Sequence, residues 1–378
     1  MHMVQTQLSS TRIVSGAGVV ATVGSEARNL GMQTVLLLID PFLAKTPAGQ
    51  AIATALSAAG LTVVQSTAVE PDPGEAAIIA GAAHAKQHGI DGIVAVGGGS
   101  AIDTAKAIGL LRYHDTDQIA PFYFGGGTTP AGMLPLIAVP TTAGTGSEVT
   151  FVAIVTEPTS QRKLLVRHPV IAPHVALVDP DLAATLPTSL TMATGMDALA
   201  HALEAMTSTM ASPISDALAM QAIPVIVESL PRLILNGHNP ADRAAMSQAA
   251  TVAGLAFLSG RVHLGHAVGH SLGGVYHLPH GTACIVMMPQ FMAFVAPHRP
   301  AAIARIATAF GCTAAEFPAV LATFLQRCGV PRLGALLAPH TPTVDELITL
   351  FAGENRLIGL APTPPSHTQW QQMIEAAW

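Results

Sequence analysis

Apolar runs that end in a polar or glycine-rich turn recur through the first half of the chain. They are "VLLLID" (35–40), "LTVVQ" (61–65), "GIVAVGGGS" (92–100) and "LIAVPTTAGTGSE" (136–148). Alanine-rich segments of helical character, such as "AGQAIATALSAAG" and "EAAIIAGAAHAKQHG", lie between them. Continuous apolar strands that alternate with helices predict a parallel sheet covered on both faces. Ligands of such sheets bind beyond the carboxyl ends of the strands.

The pattern changes after "VALVDPDLAATLP" (175–187). Strand-like runs become rare, and helical segments rich in Ala, Leu and Met continue to the end, for example "TMATGMDALAHALEAMTS" and "SDALAMQAIPVIVESLPRLIL". We therefore predict two domains, an α/β domain over residues 1–185 and an all-helical domain over residues 186–378.

Composition narrows the class of protein. The chain has 378 residues, 50% hydrophobic and 11% charged, with a net charge of -6. No uninterrupted apolar run reaches the roughly 18 to 20 residues of a membrane span, and "MHMVQTQLSSTRIVSG" does not look like a secretory signal. The absence of basic clusters argues against nucleic acid as a partner. Three cysteines without CxxC spacing favour a reducing compartment. We predict a cytoplasmic enzyme.

Two glycine-containing turns compete as the phosphate-binding site of a dinucleotide. Gly16, Gly18 and Ala21 match the spacing GxGxxG/A, with Asp40 at the distance that this fingerprint expects. However, "VVATVG" is β-branched and interrupted by a glycine, which favours a plain turn after a strand. We prefer "VAVGGGSAIDTAKAIG", in which three glycines open a helix, so that backbone N–H groups and the helix dipole can face a diphosphate.

Each of these elements also has a purely structural interpretation. Ser100 and Asp103 have the spacing of a capping box, and Asp103 and Lys106 that of a surface ion pair. The loop "PTTAGTGSEVT" (140–150) offers hydroxyl donors at the end of another strand, or is a common polar loop. Asp40 either accepts hydrogen bonds from the ribose hydroxyls and repels a 2′-phosphate, or is a turn residue before Pro41.

Histidines and one carboxylate in the second half have the spacing of a metal site. Asp197 and His201 lie four residues apart on one helix face, as do His266 and His270, while His280 follows a proline that ends or bends the helix. A carboxylate with several imidazoles suits Fe²⁺ or Zn²⁺ far better than Ca²⁺ or Mg²⁺. The alternative is that these histidines are ordinary core or surface residues. Spacing alone does not choose the ligands.

At this point the chain resembles the iron-containing (group III) alcohol dehydrogenases over nearly its whole length. The motifs that carry the resemblance are "GGGSAIDTAKAIG", "PTTAGTGSEVT", "VDPDL", "ATGMDALAHALEA" and "HAVGHSLGGVYHLPHG". The family fold is dehydroquinate synthase-like: a Rossmann-like parallel-sheet domain that binds the dinucleotide, followed by an all-helical domain that binds the metal, with the active site between them.

The resemblance also implies roles for particular residues. The implied metal ligands are Asp197, His201, His266 and His280. His270 is implied as a catalytic residue that handles a proton, while His263 and His277 receive no role. The implied cofactor-binding residues are Asp40, Gly97, Gly98, Gly99, Ser100, Asp103, Thr141, Thr142, Thr145, Ser147 and Lys163. Asp40 corresponds to the acid associated with preference for NAD over NADP.

The reaction that the resemblance implies is reversible hydride transfer from a primary alcohol to NAD, with the substrate oxygen on Fe²⁺ or Zn²⁺. Relatives of the same superfamily, glycerol dehydrogenase and dehydroquinate synthase, supply the nearest alternatives, and a non-catalytic metal- or nucleotide-binding protein is the third. Homo-oligomers are usual among the relatives. Val152 and Leu258 depart from the family pattern, and we expect them to favour less polar alcohols.

Overall fold

The computed structural model describes residues 10–157 and 163–378 of the chain. Contacts divide the chain after Ala184 into two compact units. We call them the sheet unit, which ends at Ala184, and the helical unit, Thr185–Trp378. The predicted division at residues 185 and 186 lies one residue further along the chain.

The sheet unit is built on six parallel strands in the order β1-β8-β5-β4-β2-β3. The six strands are β1 (Arg12–Ser15), β2 (Thr34–Ile39), β3 (Thr62–Ser66), β4 (Gly92–Gly97), β5 (Leu136–Pro140) and β8 (Val175–Val178). The helices between them are α1 (Val23–Asn29), α2 (Pro47–Ala58), α3 (Glu75–Gln87) and α4 (Gly99–His114). All residues of β4, β5 and β8 are buried, as expected of parallel strands covered on both faces.

An antiparallel hairpin of β6 (Val152–Thr156) and β7 (Lys163–Arg167) follows β5 and was not anticipated from the sequence. Its first strand alternates between buried and half-buried positions, which is the pattern of a strand with one face against a core. Of the residues between the two strands, 158–162 lie outside the described part of the chain.

The helical unit contains no strand among its described residues and begins with long helices. Its helices are α5 (Thr188–Thr207), α6 (Pro213–Leu235), α7 (Pro240–Gly260), α8 (Leu264–Tyr276), α9 (His280–Ile285), α10 (Met288–Val295), α11 (Pro300–Ala309), α12 (Phe317–Arg327), α13 (Leu333–Leu337), α14 (Val344–Ala352), α15 (Asn355–Ile358) and α16 (His367–Ala377). The predicted fold class, a parallel α/β sheet followed by an all-helical part, is confirmed.

Helix α6 is the one described helix that is long and apolar enough to cross a membrane. It is an amphipathic helix of the helical unit, because it packs against α5 and α7 and buries residues such as Ala219 and Ile226. The helix also carries Asp216, Glu228 and Arg232, all of which form ion pairs. One such helix is weak evidence for a membrane span, and these charged pairs argue against it.

Candidate active site

The glycine-rich loop after β4 leads directly into the 16-residue helix α4, as the sequence predicted. The helix begins at Gly99 with Gly98 as its N-cap, and no side chain caps this end. The alternative that Ser100 forms a capping box is therefore wrong. Helix N-termini present N–H groups that lack intrahelical partners, and their dipole favours anions. This end of α4 is suited to hold a diphosphate.

The threonine-rich loop after β5 packs against the same glycines. A Cβ atom on Gly99 would lie 2.8 Å from Thr145 Cγ2, and one on Gly98 would lie 3.3 Å from Thr142 Cγ2. A side chain at either glycine would fill the space between the two loops. Thr142 Oγ1 is buried without a hydrogen-bond partner, which leaves it available to a ligand. The two predicted loops thus pack against each other and form one cradle, in which one threonine hydroxyl has no hydrogen-bond partner.

A fully buried lysine connects α4 to the threonine-rich loop and to β6. Lys106 Nζ donates hydrogen bonds to Ser147 Oγ (2.7 Å) and to the carbonyl oxygen of Val152 (2.6 Å), and it lies 3.3 Å from Asp103 Oδ1. Burial lowers the pKa of Lys106, whereas Asp103 raises it. The ion pair of Asp103 and Lys106 thus exists. The interpretation as a surface pair is wrong, because the lysine is buried.

The same network accounts for two predicted cofactor residues. Asp103 accepts hydrogen bonds from Ser147 Oγ and from the backbone N–H of Ile154 (3.0 Å). Asp103 and Ser147 therefore hold the cradle together, in addition to any direct contact with a cofactor. This joining of α4, the loop and the hairpin depends on residues 41 to 51 positions apart, which no local motif indicates.

Asp40 and Lys163 lie in different surroundings. Asp40 Oδ1 accepts hydrogen bonds from the N–H groups of Phe42 (2.9 Å) and Leu43 (3.2 Å), so the turn role of this residue is confirmed. Its Cβ is 3.7 Å from the position that a Cβ on Gly97 would take, which places Asp40 beside the glycine loop. Lys163, in contrast, forms an ion pair with Asp72 at 2.6 Å.

At the rejected fingerprint, Gly16 and Gly18, the backbone binds a carboxylate of the protein itself. The backbone N–H groups of Gly18 and Val20 donate to the two carboxylate oxygens of Asp179, at 3.2 and 3.1 Å. Only a four-residue 3-10 helix follows directly, before α1. Because the protein's own carboxylate occupies the donors that a phosphate would need, the preference for the loop at Gly97 is physically justified.

The predicted metal ligands come together within the helical unit. The Nε2 atoms of three histidines surround Asp197 Oδ1, His201 at 3.8 Å and His266 and His280 at 3.7 Å each. Asp197 Oδ1 and His266 Nε2 are buried without hydrogen-bond partners. Two ligand atoms that are each about 2.1 Å from one ion, at a tetrahedral angle, are about 3.4 Å apart. These separations and unpartnered atoms fit a divalent metal ion.

The ionisation states of Asp197 and His201 also suit a metal. Burial alone would raise the pKa of Asp197, but the three facing imidazoles hold it below its usual range. Burial lowers the pKa of His201 to about 4. At neutral pH, Asp197 is therefore a carboxylate and His201 a neutral imidazole with a free lone pair, which are the protonation states that a metal requires.

Sequence reasoning missed one buried carboxylate of this region, Glu204. It lies on α5, where residues at 197, 201 and 204 share one face. Its carboxylate accepts hydrogen bonds from His266 Nδ1 and from the backbone N–H groups of His263 (3.0 Å) and Gly265 (2.7 Å). Burial would raise the pKa of Glu204, but His263 and His266 lower it to about 2. Glu204 thus caps α8 and directs His266 Nε2 towards the metal position.

The three other histidines of this region lie in different environments. His263 is completely buried, with Nε2 2.9 Å from Thr207 Oγ1. His277 is exposed and ends α8 in the left-handed conformation (φ 54°), which Asn and His tolerate better than most residues. The half-buried His270 lies one turn after His266, with its ring centre 5.6 Å from that of His280.

The placement of His280 depends on the glycine that follows it. A Cβ on Gly281 would collide with the carbonyl oxygen of Ala193 and would lie 2.8 Å from Asp197 Cβ. We expect Gly281→Ala to push α9 away from α5, to cost about 1–3 kcal/mol in unfolding free energy and to reduce bound iron. Thermal unfolding and elemental analysis measure both effects.

The matched control is Gly109→Ala within α4, where the new Cβ would meet Ile93 Cδ1 at an ordinary 3.5 Å. We expect it to be neutral or slightly stabilising, since alanine favours helices. Wild-type iron content and stability in Gly281→Ala would refute the close-approach argument.

The comparisons with known proteins agree with this geometry. Residues 10–180 match the family model described as "Iron-containing alcohol dehydrogenase". Residues 191–377 match the model "Fe-containing alcohol dehydrogenase family, C-terminal".

Individual relatives act on different alcohols according to their names. The chain is 40% identical to the NAD-dependent methanol dehydrogenase of Bacillus methanolicus, over 74% of this chain and 73% of the relative. It is 34% identical to long-chain-alcohol dehydrogenase 1 of Geobacillus thermodenitrificans, over 96% and 94%. The crystal structure of a 1,3-propanediol oxidoreductase superposes with a TM-score of 0.93 at 30% identity, covering 100% of both chains.

Proposed function

Because the chain belongs to the iron-containing alcohol dehydrogenase family, we propose that it transfers hydride reversibly between a primary alcohol and NAD, with iron held by Asp197, His201, His266 and His280. The observation that carries the metal assignment is the ring of three imidazole Nε2 atoms around the unpartnered Asp197 Oδ1. The predicted enzyme class, an alcohol dehydrogenase, is confirmed by the family.

The balanced reaction is R–CH₂OH + NAD⁺ → R–CHO + NADH + H⁺. When bound, the metal supplies Lewis-acid chemistry that polarises the oxygen of the substrate. Asp197 contributes the negative charge of the proposed ligand set, and Glu204 accepts a hydrogen bond from His266 Nδ1, which leaves His266 Nε2 facing Asp197 Oδ1. These residues orient the site before substrate arrives.

The cofactor is held by the cradle of the sheet unit in this proposal. The backbone at Gly98 and Gly99 faces the diphosphate, and Thr142 Oγ1 is available to the cofactor. Asp40 lies beside the glycine loop as a carboxylate that favours ribose hydroxyls over a 2′-phosphate. NAD is therefore the expected cofactor rather than NADP, in agreement with the name of the methanol-oxidising relative.

We assign to His270 the role of accepting the proton that the alcohol loses. Its ring centre lies 5.6 Å from that of His280 and 6.4 Å from that of His266, beside two of the proposed ligands. A ring nitrogen of His270 accepts the proton that the alcohol oxygen loses, which couples hydride transfer to proton release.

His270→Ala tests this role, and we expect kcat to fall about 10²-fold or more while iron content stays unchanged. Stopped-flow measurement of NADH formation gives the rate, and elemental analysis gives the metal. His277→Ala is the control, because His277 is exposed at the end of the same helix. A kcat close to that of the wild type in His270→Ala would remove the proposed role.

Two apolar side chains, Leu258 and Val152, are proposed to favour a less polar alcohol as substrate. Leu258 is 1% exposed and follows Phe257, whose ring stacks on His201 with 4.1 Å between the ring centres. Val152 begins β6. We expect butan-1-ol and pentan-1-ol to have higher kcat/KM values than propane-1,2-diol. The reverse order would refute this preference but not the reaction.

The experiment that tests the function measures metal content and NADH formation from a panel of primary alcohols, before and after chelation. We expect activity to disappear with the metal and to return with Fe²⁺. Full activity in metal-free protein would refute the proposal. NAD consumed only transiently, without net NADH, would favour chemistry like that of dehydroquinate synthase. The protein is further proposed to be a cytoplasmic homo-oligomer, which light scattering can test.

A further inference from the structure

The buried lysine beside the cofactor cradle takes part in no step of the proposed function. The side chain of Lys106 is 0% exposed, and it lies on α4, the helix whose first residues face the diphosphate in that proposal. Burying an ammonium group is unfavourable unless the group is paired and hydrogen-bonded. The contacts of its three N–H donors must therefore compensate for the loss of water.

These donors reach three separate parts of the sheet unit. On α4 itself, Asp103 Oδ1 lies 3.3 Å from Lys106 Nζ. In the threonine-rich loop, Ser147 Oγ accepts a hydrogen bond at 2.7 Å and Thr150 Oγ1 lies at 3.4 Å. At the start of β6, the carbonyl oxygen of Val152 accepts a hydrogen bond at 2.6 Å. One ammonium group thus fixes the end of the loop and the start of the hairpin to α4.

Ser147 connects this lysine to the wall of the cradle. The backbone N–H of Ser147 donates a hydrogen bond to Thr145 Oγ1 (3.3 Å). The side chain of Thr145 packs on Gly99, since a Cβ there would lie 2.8 Å from Thr145 Cγ2. Gly99 is the first residue of α4. A chain of contacts therefore runs from the ammonium group to the start of the helix, while Lys106 itself is too buried to touch a cofactor.

The hydroxyl group of Ser147 is used within this network. It accepts a hydrogen bond from Lys106 and donates its one proton to Asp103. Asp103 also accepts the backbone N–H of Ile154 at 3.0 Å. Because the hydroxyl proton is already donated, Ser147 contributes to cofactor binding through the position that it gives to the loop.

We propose that Lys106 is a positioning residue for the cofactor, which fixes the threonine-rich loop against the start of α4 through Ser147. This inference rests on the cradle of the proposed function as the site of NAD. Without the ammonium group, the loop is free to move away from Gly98 and Gly99. The cofactor then has to order the loop as it binds, which weakens its affinity.

Lys106→Met tests this role, because methionine fills the space of the lysine stem without its three donors. We expect the dissociation constant of NADH, measured by fluorescence titration, to rise about 10-fold or more. The KM for NAD should rise with it, while kcat at saturating NAD changes less. Iron content should stay unchanged, since the proposed metal ligands all lie in the helical unit.

Leu56→Ala is the control for a general loss of stability. Leu56 is completely buried on α2, which supplies none of the residues of the cradle. The cavity should lower the melting temperature and leave the dissociation constant of NADH unchanged. Lower thermal stability of Lys106→Met without weaker NADH binding would reduce Lys106 to a structural residue and overturn the proposal.

Ser147→Ala and the double variant decide whether Lys106 acts through Ser147. Ser147→Ala keeps the ion pair of Lys106 and Asp103, so it tests the same route even if Lys106→Met does not fold. We expect weaker NADH binding in Ser147→Ala and a loss in the double variant close to that of Lys106→Met alone. Unchanged affinity in Ser147→Ala, or losses that add fully, would overturn the role of Lys106 and leave the proposed function intact. A wild type that binds no NADH would overturn the cofactor of the proposed function and this inference with it.

Discussion

Replacing Asp197 with Asn should leave the protein almost without iron and lower kcat/KM for alcohol oxidation by about 10³-fold or more, since a Lewis-acid metal contributes several kcal/mol. Asp197 Oδ1 is the atom that all three imidazole Nε2 atoms face, at 3.7–3.8 Å, and it is the only negatively charged oxygen among the proposed ligands. An amide keeps the shape of the side chain but removes the charge that holds a divalent ion.

Elemental analysis after purification gives the iron content of Asp197→Asn, and NADH formation gives the rate. The control is Asp345→Asn on α14, whose side chain is 86% exposed. It makes the same chemical change on the surface and should have no effect on either quantity. Wild-type iron content and turnover in Asp197→Asn would show that the cluster does not hold the catalytic metal.

Replacing Glu204 with Gln should weaken iron binding by about 10- to 100-fold, as outer-shell substitutions commonly do. A glutamine oxygen can still accept the N–H groups of His263 and Gly265. Its amide nitrogen would then face His266 Nδ1, donor against donor. The imidazole would have to move its proton from Nδ1 to Nε2, and a protonated Nε2 cannot bind a metal.

Competition with a chelator of known affinity measures this loss of iron binding. Glu228→Gln is the matched control, because Glu228 is 72% exposed on α6 and pairs only with Arg232 in the contacts of the described residues. A lower melting temperature of Glu204→Gln with unchanged iron affinity would refute the tautomer argument and leave Glu204 with the capping of α8 alone.

Some features needed no tertiary information. The apolar strands with polar ends predict β2, β3, β4 and β5, because a strand buried on both faces requires a continuous apolar run. Three glycines from the end of β4 to the start of α4 predict a bare helix N-terminus, which α4 has. Asp197 and His201 four residues apart predict one face of α5 from helix geometry alone. The resemblance to a family then assigned the ligands that spacing left open.

Other features required contacts between residues far apart in the sequence. Glu204 is one more acid in an alanine-rich helix until α8 packs against α5 and brings His263 and His266, about sixty residues away, to its carboxylate. Lys106 lies three residues after Asp103, as in a surface ion pair on a helix, yet the hairpin of β6 and β7 buries it. The hairpin itself was missed, although four of the five residues of its first strand are apolar.

The sequence by itself determined the alternation of β2, β3, β4 and β5 with helices, the bare start of α4 and the spacing of the ligands along α5 and α8. Each of these follows from the periodicity of one element and from the chemistry of neighbouring residues. Only the tertiary structure decided that Asp179 occupies the loop at Gly16 and Gly18 and that Glu204 orients His266. Those outcomes depend on which faces pack together, and the placement of His280 depends in the same way on the close approach of α9 to α5 at Gly281.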